Sequence, residues 1–192
     1  TYQIWVADLD RPGLKRVIAR PGSDCDSPVW SPDGQRLAFR RNAKDKDDGI
    51  YVQRADGAGS AQAVLKVESQ EVMHFPTAWE PDGSGLLLEK SVGGKGDLLF
   101  LPAPTTGKPG PLRELRATSY DEREGRFSPD GRLLAFSSDE SGKREVYVAG
   151  YGSDGTVGPP LMVSNGGGGL PKWAGDGRRL FFQDDANRVM SV

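Results

Sequence analysis

One short pattern recurs four times along this chain and limits the available folds more than any other feature. In each copy an aromatic residue is followed, after two further positions, by an Asp-Gly pair. The aromatic residues are Trp30, Trp79, Phe127 and Trp173, so successive copies lie 49, 48 and 46 residues apart. A period of this length is typical of propeller blades with four strands each. The sequence therefore predicts about four similar β-sheets joined in series.

The Asp-Gly pair of each copy has the chemistry of a tight turn between two strands. Proline fixes φ at the turn entry, the aspartate side chain can accept a backbone N–H, and glycine adopts the positive φ that closes the turn. The pair occurs once per repeat, so the four carboxylates lie far apart and are interpreted as structural. In the fourth copy Ala174-Gly175 replaces the usual residues before Asp, which makes that turn less rigid. The predicted turn residues are Asp33, Gly34, Asp82, Gly83, Asp130, Gly131, Asp176 and Gly177.

Short apolar runs follow each turn at regular intervals, and none has a helical period. Second strands are predicted at 36–39, 85–88, 132–136 and 178–182. Third strands are predicted at 3–7, 49–52, 97–101, 145–149 and 188–192, and weaker fourth strands at 14–18, 63–67, 111–115 and 160–164. We therefore expect an all-β propeller of four-stranded antiparallel blades.

The whole chain, 1–192, is predicted to form a single, partial propeller domain. The predicted blades are approximately 1–26 (a second half), 27–75, 76–123, 124–169 and 170–192 (a first part). Because the chain both opens and closes on a third-type strand, we interpret it as a section of a longer propeller, most simply one of six blades. The alternative is a closed ring of four blades.

The repeat resembles those of a known family of propellers. An aromatic-Ser-Pro-Asp-Gly motif, a Leu-Ala-Phe strand and a strand ending in Tyr-Val are similar to TolB-like (WD-like, PD40-type) repeats, over essentially the whole chain. Residues 126–148 form the cleanest copy. The segment from Asn165 to Trp173 resembles the propellers attached to bacterial Ser/Thr kinases.

This resemblance implies the fold more specifically than the function, because one fold serves many functions. It implies a non-catalytic propeller that binds a protein or peptide, as in a periplasmic TolB-like protein or the sensor and scaffold domain of a receptor-type kinase. It also implies an extracytoplasmic, periplasmic location. The alternatives are the substrate-gating propeller of a prolyl-oligopeptidase-type hydrolase and part of a TolB-like metal-dependent lyase.

Composition argues against several kinds of chemistry. A single histidine and a single cysteine, His74 and Cys25, exclude a multi-histidine metal centre, a cysteine-rich zinc site and an intrachain disulfide. No Gly-x-Ser-x-Gly nucleophile motif occurs. The aspartates Asp45, Asp47 and Asp48 only loosely resemble a calcium loop, and we interpret them as a solvated hairpin. We therefore expect no catalytic residue, no metal and no cofactor.

Charge and hydropathy also limit the partners. A net charge of −2 with both signs interspersed offers no basic stripe for nucleic acid. No stretch approaches the roughly 18 apolar residues of a membrane span, so no membrane insertion is expected. Open blade edges present unpaired strands, which predicts self-association of the chain.

The candidate binding residues lie in connections from an outer strand to the next inner strand. In a propeller these loops surround one mouth of the central channel, and loops on a rigid scaffold often bind ligands. The alternative is that they are ordinary solvated loops. The candidates are Asp24, Asp26, Glu71, His74, Phe75, Tyr120, Asp121, Glu122 and Arg123.

Overall fold

A computed structural model describes residues 2–10, 13–16, 23–43, 47–67, 69, 71–102, 104 and 109–192. Within these residues the chain contains seventeen strands and no helix, and every strand pair is antiparallel. The sheets are arranged as propeller blades, so the predicted all-β propeller is confirmed. Residues 17–18 of a predicted strand and residues 44–46 of a predicted hairpin, Asp45 among them, lie outside the described residues.

The strands form four blades and a leading hairpin. The leading hairpin contains β1 (Trp5–Ala7) and β2 (Leu14–Arg16). Blade 1 contains β3 (Ser23–Trp30), β4 (Arg36–Ala43), β5 (Gly49–Arg54) and β6 (Gln62–Lys66). Blade 2 contains β7 (Val72–Trp79), β8 (Gly85–Val92), β9 (Lys95–Pro102) and β10 (Arg113–Arg116). Blade 3 contains β11 (Arg123–Phe127), β12 (Leu133–Ser138), β13 (Glu145–Gly150) and β14 (Leu161–Met162), and blade 4 contains β15 (Gly169–Trp173), β16 (Leu180–Gln183) and β17 (Val189–Ser191).

Within each blade the strands pair in the order in which they occur along the chain. The second and third strands are nearly continuous apolar runs, because both of their faces are covered by neighbouring blades. The outermost strands are short and more exposed, and in β14 both residues face solvent. This gradient follows from packing, since an outermost strand has no neighbouring strand on its far side.

The hydrophobic core lies between successive blades. Ile50 of blade 1 packs with Leu86 and Leu88 of blade 2, all fully buried. A second cluster joins Phe100 of blade 2 to Phe127 of blade 3. Each blade therefore depends on its neighbours to cover its apolar faces, as expected of a repeat architecture.

Every inner strand carries a β-bulge shortly before its repeated aromatic, and in blades 1, 3 and 4 the bulge includes the residue three positions before that aromatic. Ser27, Glu124 and Leu170 occupy this position with φ of 52°, 60° and 54°. In blade 2 this position is Pro76, whose ring does not permit a positive φ; Pro76 pairs with Leu88, and the register shift follows it, before Ala78. The bulge re-aims the strand next to the channel, and the sequence pattern did not reveal it.

Tryptophan side chains connect adjacent blades. The indole N–H of Trp79 donates to the Val29 carbonyl of blade 1, at 3.2 Å. The indole N–H of Trp173 donates to the Arg126 carbonyl of blade 3, also at 3.2 Å. Trp79 and Trp173 therefore fix their own blades against the preceding blade through these hydrogen bonds.

Candidate functional site

The four Asp-Gly turns share one hydrogen-bond arrangement at one end of the channel. Each aspartate accepts the backbone N–H two residues later, at 2.8–3.1 Å. Each following glycine has a positive φ between 66° and 77°. In the turns of Asp33 and Asp130, a serine hydroxyl and this backbone N–H lower the pKa of the carboxyl. These aspartates stabilise the turns through hydrogen bonds within each turn.

The nine candidate residues were predicted to lie in connections, but five of them lie within the inner strands β3, β7 and β11: Asp24, Asp26, His74, Phe75 and Arg123. Most of the nine make contacts within the protein. Asp24 accepts the backbone N–H of Tyr2 at 2.6 Å. Asp26 accepts from the Ser27 hydroxyl at 3.0 Å and lies 3.9 Å from the Arg40 guanidinium. That guanidinium lies 4.8 Å above the Phe75 ring.

His74 is buried on β7, directly across from Lys90 on β8. Its Nδ1 atom has no hydrogen-bond partner among the described residues. Burial, together with the positive charges of Lys90 and Arg40, lowers the pKa of His74 to about 4. The imidazole is therefore neutral near pH 7.

Tyr120, Asp121 and Glu122 lie in the connection between blades 2 and 3, and Arg123 is the first residue of β11, but their environments differ. Tyr120 is exposed, whereas Glu122 is fully buried. The Glu122 carboxylate accepts from the Thr118 hydroxyl and backbone N–H and lies 3.4 Å from Nε of Arg116. Glu122 therefore stabilises its own loop and is closed to solvent.

Asp121 and Arg123 belong to an ion-pair network that joins the two blades. Asp121 accepts from the Gly96 N–H at 2.6 Å and from Arg123 and Arg144 at 2.7 Å each. Burial by itself raises the pKa of the Asp121 carboxyl, but these bonds outweigh it and the net pKa is lowered. Arg123 also donates to Glu89 of β8 at 3.0 Å. Of the nine candidate residues, Glu71 and Tyr120 are the exposed ones.

Two glutamates brace the bulges, a role that sequence reasoning missed. Glu89 of blade 2 accepts the backbone N–H of Glu124 in blade 3 at 3.1 Å. Glu124 in turn accepts the N–H of Leu170 in blade 4 at 2.6 Å. The donors are the positive-φ residues, so each carboxylate holds the next blade's bulge. The only sequence signal was a glutamate in blades 2 and 3 without an assigned role.

A groove about 700 Å³ in volume lies on the turn side of the channel. We name it the channel groove. It is formed by the ends of all four inner strands and their turns. Its lining combines aromatic rings and prolines with two basic side chains. The lining residues include Trp30, Pro32, Trp79, Pro81, Arg126, Phe127, Pro129, Leu170, Pro171, Lys172 and Trp173.

Arg126 and Lys172 occupy equivalent positions in this groove, each one residue before the aromatic of its blade. Arg126 is partly buried, and Lys172 is exposed. The Arg126 guanidinium donates a hydrogen bond to the carbonyl of Gly125, at 2.8 Å. Burial lowers the pKa of Arg126, which means that its charge is poorly solvated.

The described residues contain no group of three or more His, Cys, Asp or Glu side chains placed to hold a metal ion. Cys25 is buried, and burial raises the pKa of its thiol. A helix able to span a bilayer is likewise not found in the described part of the chain. The lining of the channel groove offers apolar contact and positive charge.

Comparison with known proteins places this arrangement in a family. A family model described as the TolB beta propeller domain matches residues 1–192. The Tol-Pal system protein TolB of Bordetella pertussis is 30% identical over 151 residues, covering 78% of this chain and 32% of that protein. The uncharacterized peptidase YuxL of Bacillus subtilis is 24% identical, covering 77% of this chain and 28% of YuxL. The chain thus spans about a third or less of these relatives' length.

Solved structures show the same fold. TolB from Acinetobacter baumannii superposes with a TM-score of 0.71 at 20% identity, covering 98% of this chain and 48% of that one. A puromycin-hydrolyzing peptidase of Mycobacterium tuberculosis gives a TM-score of 0.63 at 16% identity, covering 94% and 31% of the two chains. By its whole-length match and its blades, the chain belongs to the TolB beta propeller domain family.

Proposed function

We propose that this chain is a non-catalytic binding domain that holds a segment of protein or peptide in the channel groove. The observation that carries the proposal is the joint construction of the groove, to which all four inner strands contribute. A ligand there contacts every blade at once. Concave, mostly apolar surfaces with a few placed polar groups are the usual form of a binding site.

The residue types of the groove support a polypeptide ligand. Tryptophan and arginine are enriched among residues that dominate protein binding energies, and Trp30, Trp173 and Arg126 all line the groove. The blades are fixed to each other by indole hydrogen bonds and carboxylate braces. A pre-organised surface loses little conformational entropy on binding.

We propose a smaller role in binding for the opposite face. Glu122 holds its own loop there, and Asp121 and Arg123 join blades 2 and 3, while His74 is buried. Tyr120 and Glu71, which are exposed, are the candidates that could contact a partner at the rim.

The similarity to Tol-Pal system proteins supports a role in a protein assembly and an extracytoplasmic, periplasmic location. Cell fractionation with an antibody against residues 1–192 tests the location. Recovery of the protein in the periplasmic fraction is expected, and recovery with cytoplasmic markers contradicts it.

A second candidate function is a gate that controls access to a peptidase domain. The specific observation in its favour is the similarity to peptidases, YuxL among them. A gate sieves substrates by size and retains none of them selectively. A binding domain retains particular sequences.

The test is retention of peptides by the immobilised 192-residue chain. A pool of random hexapeptides with acetylated and amidated ends is applied, and bound peptides are identified by mass spectrometry. We expect a reproducible subset to be retained without cleavage. A retained pool identical in composition to the applied pool favours the gate, and cleaved products contradict the non-catalytic assignment.

We also propose that the 192-residue chain self-associates through its open blade edges. Among the described strands β17 pairs only with β16, which leaves its other edge open, and its Val189 is 77% exposed. Unpaired edges with exposed apolar side chains favour strand addition by another molecule. Analytical ultracentrifugation at increasing concentration should show a rising average mass, whereas a constant monomer mass contradicts this.

A further inference from the structure

The charge of the channel groove is distributed in a way that the binding proposal does not require. Arg126 and Lys172 contribute two positive charges, while the described residues that line the groove include no aspartate or glutamate. The chain as a whole has a net charge of −2. The groove is therefore a positive surface on a slightly negative protein.

A second groove, between blades 2 and 3, provides the contrast. It has a volume of about 620 Å³ and is lined by Glu80, Asp82, Asp130 and Asp154 against a single Arg113. Its arginine stacks over Phe100, and Asp82, Asp130 and Asp154 each accept a turn N–H. The charges there are engaged within the protein.

Arg126 is different, because no carboxylate lies within ion-pair distance of it among the described residues. Glu89 and Glu124 act on it only through space, and their oxygens accept backbone N–H groups. The guanidinium has five N–H donors, of which one bonds to Gly125. A partly buried guanidinium without an ion-pair partner is incompletely solvated, and an anion that binds it offsets this cost.

The other half of the groove is apolar. At the position equivalent to Arg126, blade 1 has Val29 and blade 2 has Ala78. Next to them lies the ring of Trp30, which is 50% exposed. A ligand that lies across the four inner strands thus meets an apolar and aromatic half and then a cationic half.

We propose that the channel groove selects acidic peptide segments, in which an aspartate or glutamate side chain pairs with Arg126 and an adjacent apolar side chain packs on Trp30. This inference rests on the proposed function and names the ligand class for the same groove. Arg126 supplies planar, two-pronged recognition of a carboxylate, and Lys172 at the rim adds positive charge. The acidic group is assigned to a side chain within the segment.

The test uses the capped hexapeptide pool described above, in which every carboxylate belongs to a side chain. We expect Asp and Glu to be enriched about tenfold among peptides retained by the 192-residue chain. Arg126→Gln should remove most of this enrichment, and Arg126→Lys should restore part of it. Arg132→Gln is the matched control, since that side chain is 84% exposed in a turn, and it should retain the enrichment.

The outcomes separate the two proposals. Retention of a selected subset without acidic enrichment overturns the acidic assignment and leaves peptide binding intact. Failure to retain any peptide overturns both. If Arg126→Gln lowers the unfolding midpoint, Arg126→Met is compared at a temperature where both remain folded, and unchanged enrichment there overturns the role of Arg126. Tighter binding of a single-stranded DNA oligonucleotide than of the acidic peptides also overturns the peptide assignment.

Discussion

At the scale of single residues, the charged side chains of this propeller are used mainly to hold backbone. Glu89 and Glu124 accept N–H groups of bulge residues in the following blade. Four turn aspartates do the same within their own blades. Arg126 differs, because it lines the channel groove and, among the described residues, its guanidinium donates to the carbonyl of Gly125 and pairs with no carboxylate.

The buried carboxylate of Glu122 gives the first prediction. Glu122→Gln removes the charge that Arg116 faces and weakens the acceptor of two Thr118 donors. We expect the free energy of unfolding to fall by about 1–3 kcal/mol, measured by urea denaturation. Glu114→Gln on the neighbouring β10, where the side chain is exposed, serves as the control and should change it by less than about 0.5 kcal/mol. Equal effects of the two changes contradict the assigned role.

The pKa of His74 predicts a pH dependence of stability. The folded pKa of about 4 lies below the ordinary value of 6.5, so the unfolded chain binds the proton first as pH falls. The contribution of His74 is complete above pH 6.5 and decreases between pH 6.5 and 4. The loss amounts to roughly 2–4 kcal/mol, and His74→Gln should remove this part of the pH dependence.

Because His74 is the one histidine in the chain, its imidazole gives a single set of NMR signals to follow. A titration midpoint near 4 agrees with burial beside Lys90 and Arg40. A midpoint near 6.5 shows that the imidazole is solvated and contradicts the described packing.

At the scale of strands and blades, the repeated aromatic acts according to its neighbours. Trp79 is 7% exposed and bonded to blade 1, whereas Trp30, at the same place in its own repeat, is 50% exposed. Trp79→Phe should therefore lower the free energy of unfolding by about 1–2 kcal/mol. Trp30→Phe should lower it by less than half as much. Chemical denaturation of both variants measures the free energy of unfolding. A larger loss for Trp30→Phe than for Trp79→Phe contradicts the role of Trp79 in joining blade 2 to blade 1.

The same comparison shows what the sequence could and could not reveal. Strand order and turns were predictable, because the aromatic-x-Pro-Asp-Gly pattern acts over a few residues and repeats. The burial of Glu122 and the bracing of Leu170 by Glu124 depend on how one blade lies against the next, which no local pattern encodes. The sequence pattern did not single out Arg126. Its candidate role depends on the groove that all four inner strands form together.

At the scale of the whole molecule, stability and binding arise from the same arrangement. Each blade buries its apolar faces against its neighbours, which brings the four inner strands together along one channel. The groove exists only in the assembled array, so loss of one interblade contact should weaken ligand retention as well as stability. The exposed candidates Tyr120 and Glu71, in contrast, do not line the channel groove.

The most direct test of the central proposal is photocrosslinking of bound peptide from defined positions. A photoreactive side chain fits at Gly175, which lines the groove, has no positive φ and has open space around an added Cβ. Gly150, which has the same open space and does not line the groove, is the matched control. We predict that retained peptides crosslink from position 175 and not from position 150. Crosslinking from position 150 alone, or equally from both, contradicts binding in the channel groove.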